Sequence, residues 1–261
     1  MPSGPPFFVV ARVVGRDGAI ESWKQRLIPL CEVSVTEPLG NTYYWGQDLD
    51  GEPDTLWGLE GYSHAVGFFI GHPSSKVFKE EMALVDSDKL LRNEQGLTSK
   101  DYDLKHYDQA GGYLTREDDE EKNRKDSFIA VIHFWVKGGG SGDVINKLGN
   151  LADATKELGL EVMIQSCAVF KGVWDQNLVT LWVRSVSSTY LPKTYTTCVF
   201  FFIALLTVAG SSRTKTEKDF DAFKAWDRYK TVVDGELKSG GDLIGKTEVH
   251  RSKAFNGHID K

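Results

Sequence analysis

Thr55-Leu56-Trp57 recurs in this chain as Thr180-Leu181-Trp182, and the sequences around the two copies can be overlaid. An apolar, strand-like run precedes each copy, at 7–14 in the first and at 128–134 in the second. A helix-length segment separates each run from its triplet, and an amphipathic stretch follows the triplet. Internal repetition of this kind determines the architecture before any residue chemistry is considered.

The ends of the two copies correspond as well, because 104–114 overlays 249–259 and places Gly112 on Gly257. A chain of 261 residues suits one large domain or two of roughly 100–150 residues each. The repeat favours the second arrangement. The sequence therefore predicts one small module written twice, with a degenerate second copy.

The chain divides at a run of charged residues. Module 1 is predicted at 1–115, a solvated, charged linker at 116–126, and module 2 at 127–261. Five consecutive acidic residues followed by basic ones are typical of a solvated segment between modules. A binding role for this charge run is the alternative.

The order of elements in module 1 is strand, helix, strand, strand, helix, strand, which is the ferredoxin-like order of an α+β fold. Ile20, Trp23 and Leu27 recur at helical spacing and predict the first helix. Ser63 is the natural N-cap of the second helix, which carries Val66, Phe69 and Ile70 on one side. The predicted strands are 7–14, 42–45, 55–62 and a last one within 101–113.

Module 2 repeats this order but contains an apolar insertion at about 185–212. Its uncharged core, Cys198 to Ala209, is shorter than the roughly 20 apolar residues of a membrane span. Three interpretations stay open: a buried hairpin, a membrane-associating segment and the translation of an in-frame intron. The abrupt change of composition motivates the third.

Composition and charge narrow the classes of partner and compartment. A net charge of −6 argues against nucleic acid, whose phosphates require clustered Lys and Arg. The three cysteines are widely spaced, and no histidine pair has zinc spacing, so no metal site is predicted. The apolar run near the start lacks the basic head of a signal peptide. We therefore expect a cytoplasmic protein without stable membrane insertion.

His72 is the first candidate for chemistry. An imidazole with an ordinary pKa near 6.5 is suited to take a proton from an acidic phenol or carbon acid. The structural alternative is a histidine that is hydrogen-bonded at a helix end. The overlaid residue in module 2 is Tyr229, so only module 1 could use this base.

Aromatic residues on the two central strands of module 1 are the candidates for ligand binding. Alternation puts Tyr43 and Trp45 on one face of their strand. Trp57 lies on the next strand, together with Tyr62 and Glu60. The aromatic side chains could line a slot for a flat ligand, or they could be plain core. Glu60 is a candidate polar partner or an exposed edge residue.

Module 1 resembles an antibiotic-biosynthesis monooxygenase (ABM) domain of the dimeric α/β-barrel superfamily. The resemblance rests on Val9-Val10-Ala11-Arg12, on Glu37-Pro38-Leu39-Gly40 before Tyr43, and on Leu59-Glu60-Gly61-Tyr62 followed by Ala65. His72, Ser75 and Phe78 complete it. Module 2 is similar but lacks the Glu-Pro-Leu-Gly element and the histidine.

This resemblance implies two antiparallel sheets that pair into a barrel with the helices outside, here within one chain. It also implies a cofactor-independent monooxygenase that oxidises a polycyclic phenol or anthrone-type substrate, as a tailoring enzyme of secondary metabolism. His72, Tyr62 and Glu60 would be catalytic, and Trp57, Trp45, Tyr43 and Phe69 would bind the substrate. The alternative is a non-catalytic barrel that binds a small aromatic ligand or is associated with stress. A homodimer stays open.

Overall fold

The computed structural model describes residues 5–120, 122–158, 164–185 and 215–261. The strands are β1 (Phe7–Val14), β2 (Gly40–Asp48), β3 (Thr55–Tyr62), β4 (Tyr102–Tyr113), β5 (Phe128–Val136), β6 (Ile164–Gly172), β7 (Leu178–Ser185) and β8 (Ile244–His258). The longer helices are α1 (Ile20–Thr36), α2 (Lys76–Ser87), α3 (Ser141–Leu158) and α4 (Lys215–Ala225). Both halves therefore have the predicted ferredoxin-like order of elements.

The eight strands form one closed antiparallel barrel in the order β1-β3-β2-β8-β5-β7-β6-β4. Module 1 contributes the neighbours β4-β1-β3-β2, and module 2 contributes β8-β5-β7-β6. The modules meet along two seams, where β2 pairs with β8 and β4 pairs with β6. The structure thus confirms the predicted pair of ferredoxin-like modules that form an intrachain barrel.

The repeated glycines, Gly112 and Gly257, lie on these two seams. Gly112 pairs with Ala168 across β4 and β6, and Gly257 pairs with Tyr44 across β8 and β2. Both have positive φ, +69° and +132°, which side chains with a Cβ rarely adopt. A Cβ at either position would also overlap a carbonyl oxygen of the facing strand. The correspondence seen in the sequence therefore marks the two junctions between the sheets.

Strand alternation separates three apolar cores. One fills the barrel and takes residues from all eight strands, among them Phe8, Tyr44, Trp57, Tyr107, Ile129, Phe170, Trp182 and Ala254. The second lies between the module 1 sheet and its helices and includes Trp23, Leu27, Tyr43, Trp45, Tyr62 and Val85. The third is the equivalent core of module 2 and includes Phe128, Leu148, Val169, Phe220 and Tyr229. Neighbouring side chains on one strand thus belong to different cores.

The segment after β3 differs from the predicted helix. It forms a π-helical turn at Gly67–Gly71 and a single turn at His72–Ser74 before α2 begins. Ser63 donates to the Leu39 carbonyl, and the N-cap of α2 is Ser75, whose hydroxyl accepts from the Phe78 amide at 3.1 Å. The side that carries Val66, Phe69 and Ile70 faces outward, since these residues are 43%, 50% and 60% exposed. A π turn shifts the helical phase, which a period of 3.6 residues does not anticipate.

The charged segment between the modules contributes one residue to the interior. Asp119 is buried and forms an ion pair with Arg184, which is fully buried on β7. The Ser166 hydroxyl also accepts from the Arg184 Nε at 3.1 Å. Asp119 therefore departs from the expectation of a solvated linker. Buried charges of this kind persist in folded proteins when they are paired and hydrogen-bonded.

The apolar insertion of module 2 lies outside the described residues. The hairpin, membrane-associating and intron interpretations of 185–212 all concern this part of the chain, of which only Ser185 is described. Within the described ranges, every helix is too short or too polar to cross a lipid bilayer.

Gly112 provides a test of the seam. We expect Gly112→Ala to lower the free energy of unfolding by roughly 2–5 kcal/mol. The methyl group adds overlap, costing about 1–3 kcal/mol, to the left-handed backbone cost of about 1–2 kcal/mol. Gly18→Ala is the matched control, because its φ is +75° and nothing lies within 4 Å of its Cβ position. Urea unfolding that gives equal losses for both variants would contradict the seam's role.

Candidate functional site

A buried pair of polar side chains lies beneath the helical face of module 1. His72 is 2% exposed, and its Nδ1 lies 2.7 Å from Oε1 of Glu37. His72 Nε2 is buried and has no hydrogen-bond partner among the described residues. This pair has the arrangement of a base whose ring is oriented by a carboxylate on one nitrogen and whose other nitrogen remains available.

Local chain geometry explains why two distant residues meet here. The helix α1 ends because Glu37 is extended, with ψ of 130°, as expected for a residue before proline. The π turn lies close to the sheet, since a Cβ on Gly67 would come within 2.7 Å of the Tyr62 ring and 2.9 Å of Leu39. Glu37 belongs to the Glu-Pro-Leu-Gly element, and no local sequence pattern predicts its contact with His72, which lies 35 residues away.

Aromatic rings surround the imidazole. The rings of Tyr43 and Phe78 each have centroids 5.1 Å from that of His72. Trp45 lies 5.9 Å from Tyr43 and is buried in the same core. Of the predicted binding residues, Tyr43 is therefore brought against the predicted base, and Trp45 lies behind Tyr43 in the same core.

Glu60 and Tyr62 form the second polar pair of this core. The Tyr62 hydroxyl donates to Glu60 Oε2 at 2.8 Å, and both residues are buried on the central strand β3. Burial raises the pKa of Glu60, and the nearby charge of His72 and the Tyr62 hydrogen bond oppose this only in part. Burial, followed by the charge of Glu60, raises the pKa of Tyr62 well above its ordinary value. Tyr62 therefore stays a protonated donor, and Glu60 is not an exposed edge residue.

Two predicted binding residues lie away from this cluster. Trp57 faces the barrel interior, where its indole N–H donates to Asp48 Oδ1 at 3.0 Å and its ring stacks on His250 at 4.2 Å. Phe69 is half exposed on the π turn and stacks on His106 at 5.5 Å. The structure therefore does not place Trp57 or Phe69 against His72.

Two cavities open at other places, with volumes of about 200 and 320 Å³. Neither is lined by His72, Glu37, Glu60 or Tyr62. A substrate could reach His72 only after local movement of the covering segment. Among the described residues, no group of three or more His, Cys, Asp or Glu side chains could hold a metal ion.

Comparisons with solved structures agree with this architecture. A Fusobacterium nucleatum protein described as a "putative monooxygenase" matches with a TM-score of 0.69 and 12% identity, over 100% of this chain and 99% of that chain. A Lactobacillus acidophilus protein with the same description matches with a TM-score of 0.64 and 10% identity, over 99% and 100%. An "anthrone oxidase-like protein" matches with a TM-score of 0.51 and 10% identity, over 97% and 92%.

At these identities the comparisons establish a shared fold, and they confirm at that level the resemblance inferred from module 1. No protein-family model matches the chain, and no curated protein matches its sequence. The function must therefore be argued from the side chains themselves.

The raised pKa of Glu60 predicts a pH-dependent effect of Glu60→Gln. The folded state keeps the Glu60 proton at pH values where the unfolded chain has lost it, so this contribution to stability is lost as pH rises through the folded pKa. Gln cannot ionise and avoids that loss. We therefore expect the unfolding free energy of the variant, minus that of the parent, to increase from about pH 4 to pH 8.

Asp118→Asn is the control for this measurement. The hydrogen bond from Arg116 lowers the pKa of Asp118, so the stability that Asp118 contributes is present above its unfolded pKa and lost in acid. The difference for Asp118→Asn should fall as pH rises only below about pH 4, because the pKa of Asp118 is lowered, and should stay nearly constant from pH 4 to pH 8, where that for Glu60→Gln increases. Urea unfolding at several pH values would contradict the Glu60 assignment if both differences changed in the same direction.

Proposed function

We propose that the chain is a cofactor-independent monooxygenase that oxidises a polycyclic phenol or an anthrone-type substrate in module 1. The observation that carries this proposal is the buried Glu37–His72 pair, whose Nε2 is unpartnered within an aromatic shell. The shared fold with an "anthrone oxidase-like protein" supports the same chemical class.

The reaction needs one base and no external reductant. His72 Nε2 takes a proton from the substrate, and the resulting anion passes one electron to dioxygen. The substrate radical and superoxide then combine to form a carbon–oxygen bond, and the imidazolium returns the proton to the peroxide. The hydroperoxide loses water as the second hydrogen on that carbon leaves as a proton, so one oxygen atom enters the quinone and the other becomes water.

Each neighbouring side chain has a role in this scheme. Glu37 accepts at His72 Nδ1, which holds the ring and stabilises its protonated form, so it acts as a positioning residue. Tyr62 and Glu60 are the polar partners: the Tyr62 hydroxyl holds the Glu60 carboxyl, and the protonated carboxyl donates to the developing anion, because buried donors stabilise charge more strongly than donors in water. Tyr43 and Trp45 form the apolar wall that keeps solvent from the anion and the radical pair.

The segment over the site must move for substrate to enter. The π turn leaves Phe69 and Ile70 at least half exposed, but Phe68 and Phe69 contact the rings of Phe7 and His106. Opening would separate these rings, and π turns are frequent at functional sites. Displacement of this segment would uncover His72 from the side of module 1.

The second candidate function is a non-catalytic barrel that binds a small aromatic ligand or is associated with stress. One observation favours it: His72 is buried and bonded to Glu37 at the start of a helical turn, which also fits a structural histidine. In that case the aromatic shell would hold a ligand without turnover.

Oxygen uptake distinguishes the two functions. With an anthrone-type phenol as substrate, we expect His72→Ala to reduce the rate by about 100- to 10,000-fold, the usual contribution of a general base. Ligand binding should be retained. Glu37→Gln should reduce the rate less, because it disturbs the orientation of the base and leaves the base in place.

Tyr229→Phe is the matched control, since Tyr229 is the module 2 residue that overlays His72 and Phe preserves its ring. Its rate should equal that of the parent. His72→Gln provides a second variant that keeps the side-chain volume closer to the original. No oxygen uptake by the parent across a broad panel of phenols, with measurable ligand binding, would overturn catalysis and support the second function.

A further inference from the structure

One mouth of the barrel contains a cavity of about 320 Å³ that is separate from the His72 cluster. Its walls come from the inward-facing positions of β1, β2, β3, β4 and β8, and from the loop between β2 and β3. Because those strands come from both modules, the cavity exists only when the barrel is closed. Its volume is near the lower end of ligand sites, roughly 300–1,000 Å³.

Most charges around this cavity are already neutralised. Of the acidic side chains that line it, Asp103 pairs with Lys105, Asp50 with Arg251, Glu52 with Arg92 and Glu248 with Lys246. Asp48 has no cation partner in the described part of the chain but accepts from the Trp57 indole and from the amides of Asp50 and Glu52. The acidic lining is therefore satisfied without a bound cation.

Arg12 is the charged side chain of this cavity that is not neutralised by a described neighbour. Within the described residues, its guanidinium forms neither a hydrogen bond nor an ion pair, and it lies over the Trp57 ring at 5.9 Å. It is half-buried on β1, between its strand neighbours Trp57 and Asp103. A guanidinium is permanently charged and carries a fork of donors that fits a carboxylate. It is the free anion-binding group of the cavity.

The two histidines at this barrel mouth, His133 and His250, do not supply a positive charge. Burial lowers the pKa of His250, and the charge of Glu248 opposes this only in part. Burial lowers the pKa of His133 still further, with help from Lys105 and His250. Both imidazoles are therefore neutral near pH 7. They offer flat surfaces and single hydrogen-bonding atoms, so Arg12 is the cation of the lining that has no ion-pair partner among the described residues.

The aromatic side chains of the cavity indicate what shape of ligand fits. Trp57 and His250 stack with an interplanar angle of 25°, and the His133 ring lies 5.7 Å behind that of His250. His133 is 1% exposed, its Nδ1 lies 2.8 Å from the Thr180 hydroxyl, and its Nε2 has no partner among the described residues. A flat ring could lie against this stack with its acidic group on Arg12.

We propose that this barrel mouth binds a small aromatic carboxylate, with the carboxylate on Arg12 and the ring against the Trp57–His250 stack. The site uses the inner face of the barrel, whereas the proposed oxygenase site uses the outer face of module 1. The proposal therefore stands without the proposed function.

The test uses the full chain with its tryptophans labelled with nitrogen-15, and benzoate and 2-naphthoate as probes. The seven tryptophans give a small set of indole N–H signals, and Trp57→Phe identifies the one from Trp57. We expect both acids to shift that signal saturably, and benzyl alcohol, which lacks the charge, to bind much more weakly. Arg12→Gln should weaken carboxylate binding by roughly 10- to 100-fold, the usual loss of a charged hydrogen bond.

Arg16→Gln is the matched control, because Arg16 is a nearby arginine that does not line the cavity, and its affinity should equal that of the parent. Unchanged far-UV circular dichroism and unfolding midpoint show that each variant is folded. No saturable shift of the Trp57 signal in the folded parent would overturn the proposal. So would equal affinity of Arg12→Gln and the parent, or equal binding of benzyl alcohol and benzoate.

Discussion

Closure of the barrel is the constraint on which the rest of this structure depends. Each ferredoxin-like module ends in two edge strands whose backbone groups need partners, and an isolated sheet would leave them open to aggregation. Here β2 pairs with β8 and β4 pairs with β6, so every edge is paired within one chain. Gly112 and Gly257 permit the close backbone approach at both seams. The duplication thus removes the edges that a single module exposes.

The sequence was sufficient to predict the elements and their order, because repetition and apolar periodicity are local signals. The limits of β1 and β3 agree with the prediction to the residue. The overlay of Gly112 on Gly257 was visible in the sequence, but their place on the seams became apparent only in the structure. The face of Trp57 was not predictable, since alternation orders the faces along one strand but not between strands. The observed register pairs Trp45 with Gly58, which puts Trp57 on the opposite side of the sheet.

In the candidate site, too, some residues could be predicted from local sequence patterns, whereas contacts between distant residues could not. His72, Glu60, Tyr43 and Trp45 do meet in one core. Glu37 was missed because its contact with His72 spans 35 residues and depends on where α1 ends. Phe69 was expected to bind the substrate, but on the π turn it is half exposed and stacks on His106. Long-range contacts and irregular helical turns cannot be predicted from the apolar periodicity of the sequence.

The two faces of β3 connect the two sites that we propose. Glu60 and Tyr62 point outward to His72, while Trp57 points inward to Arg12 and His250. A strand in the middle of a closed barrel has little freedom to shift, because hydrogen bonds hold it on both sides and packed interiors resist deformation. The same rigidity that fixes the buried Glu60–Tyr62 pair also fixes the Trp57 ring. Access to His72 must then come from the helical layer, through the segment that contains the π turn, and access to Arg12 from the barrel mouth.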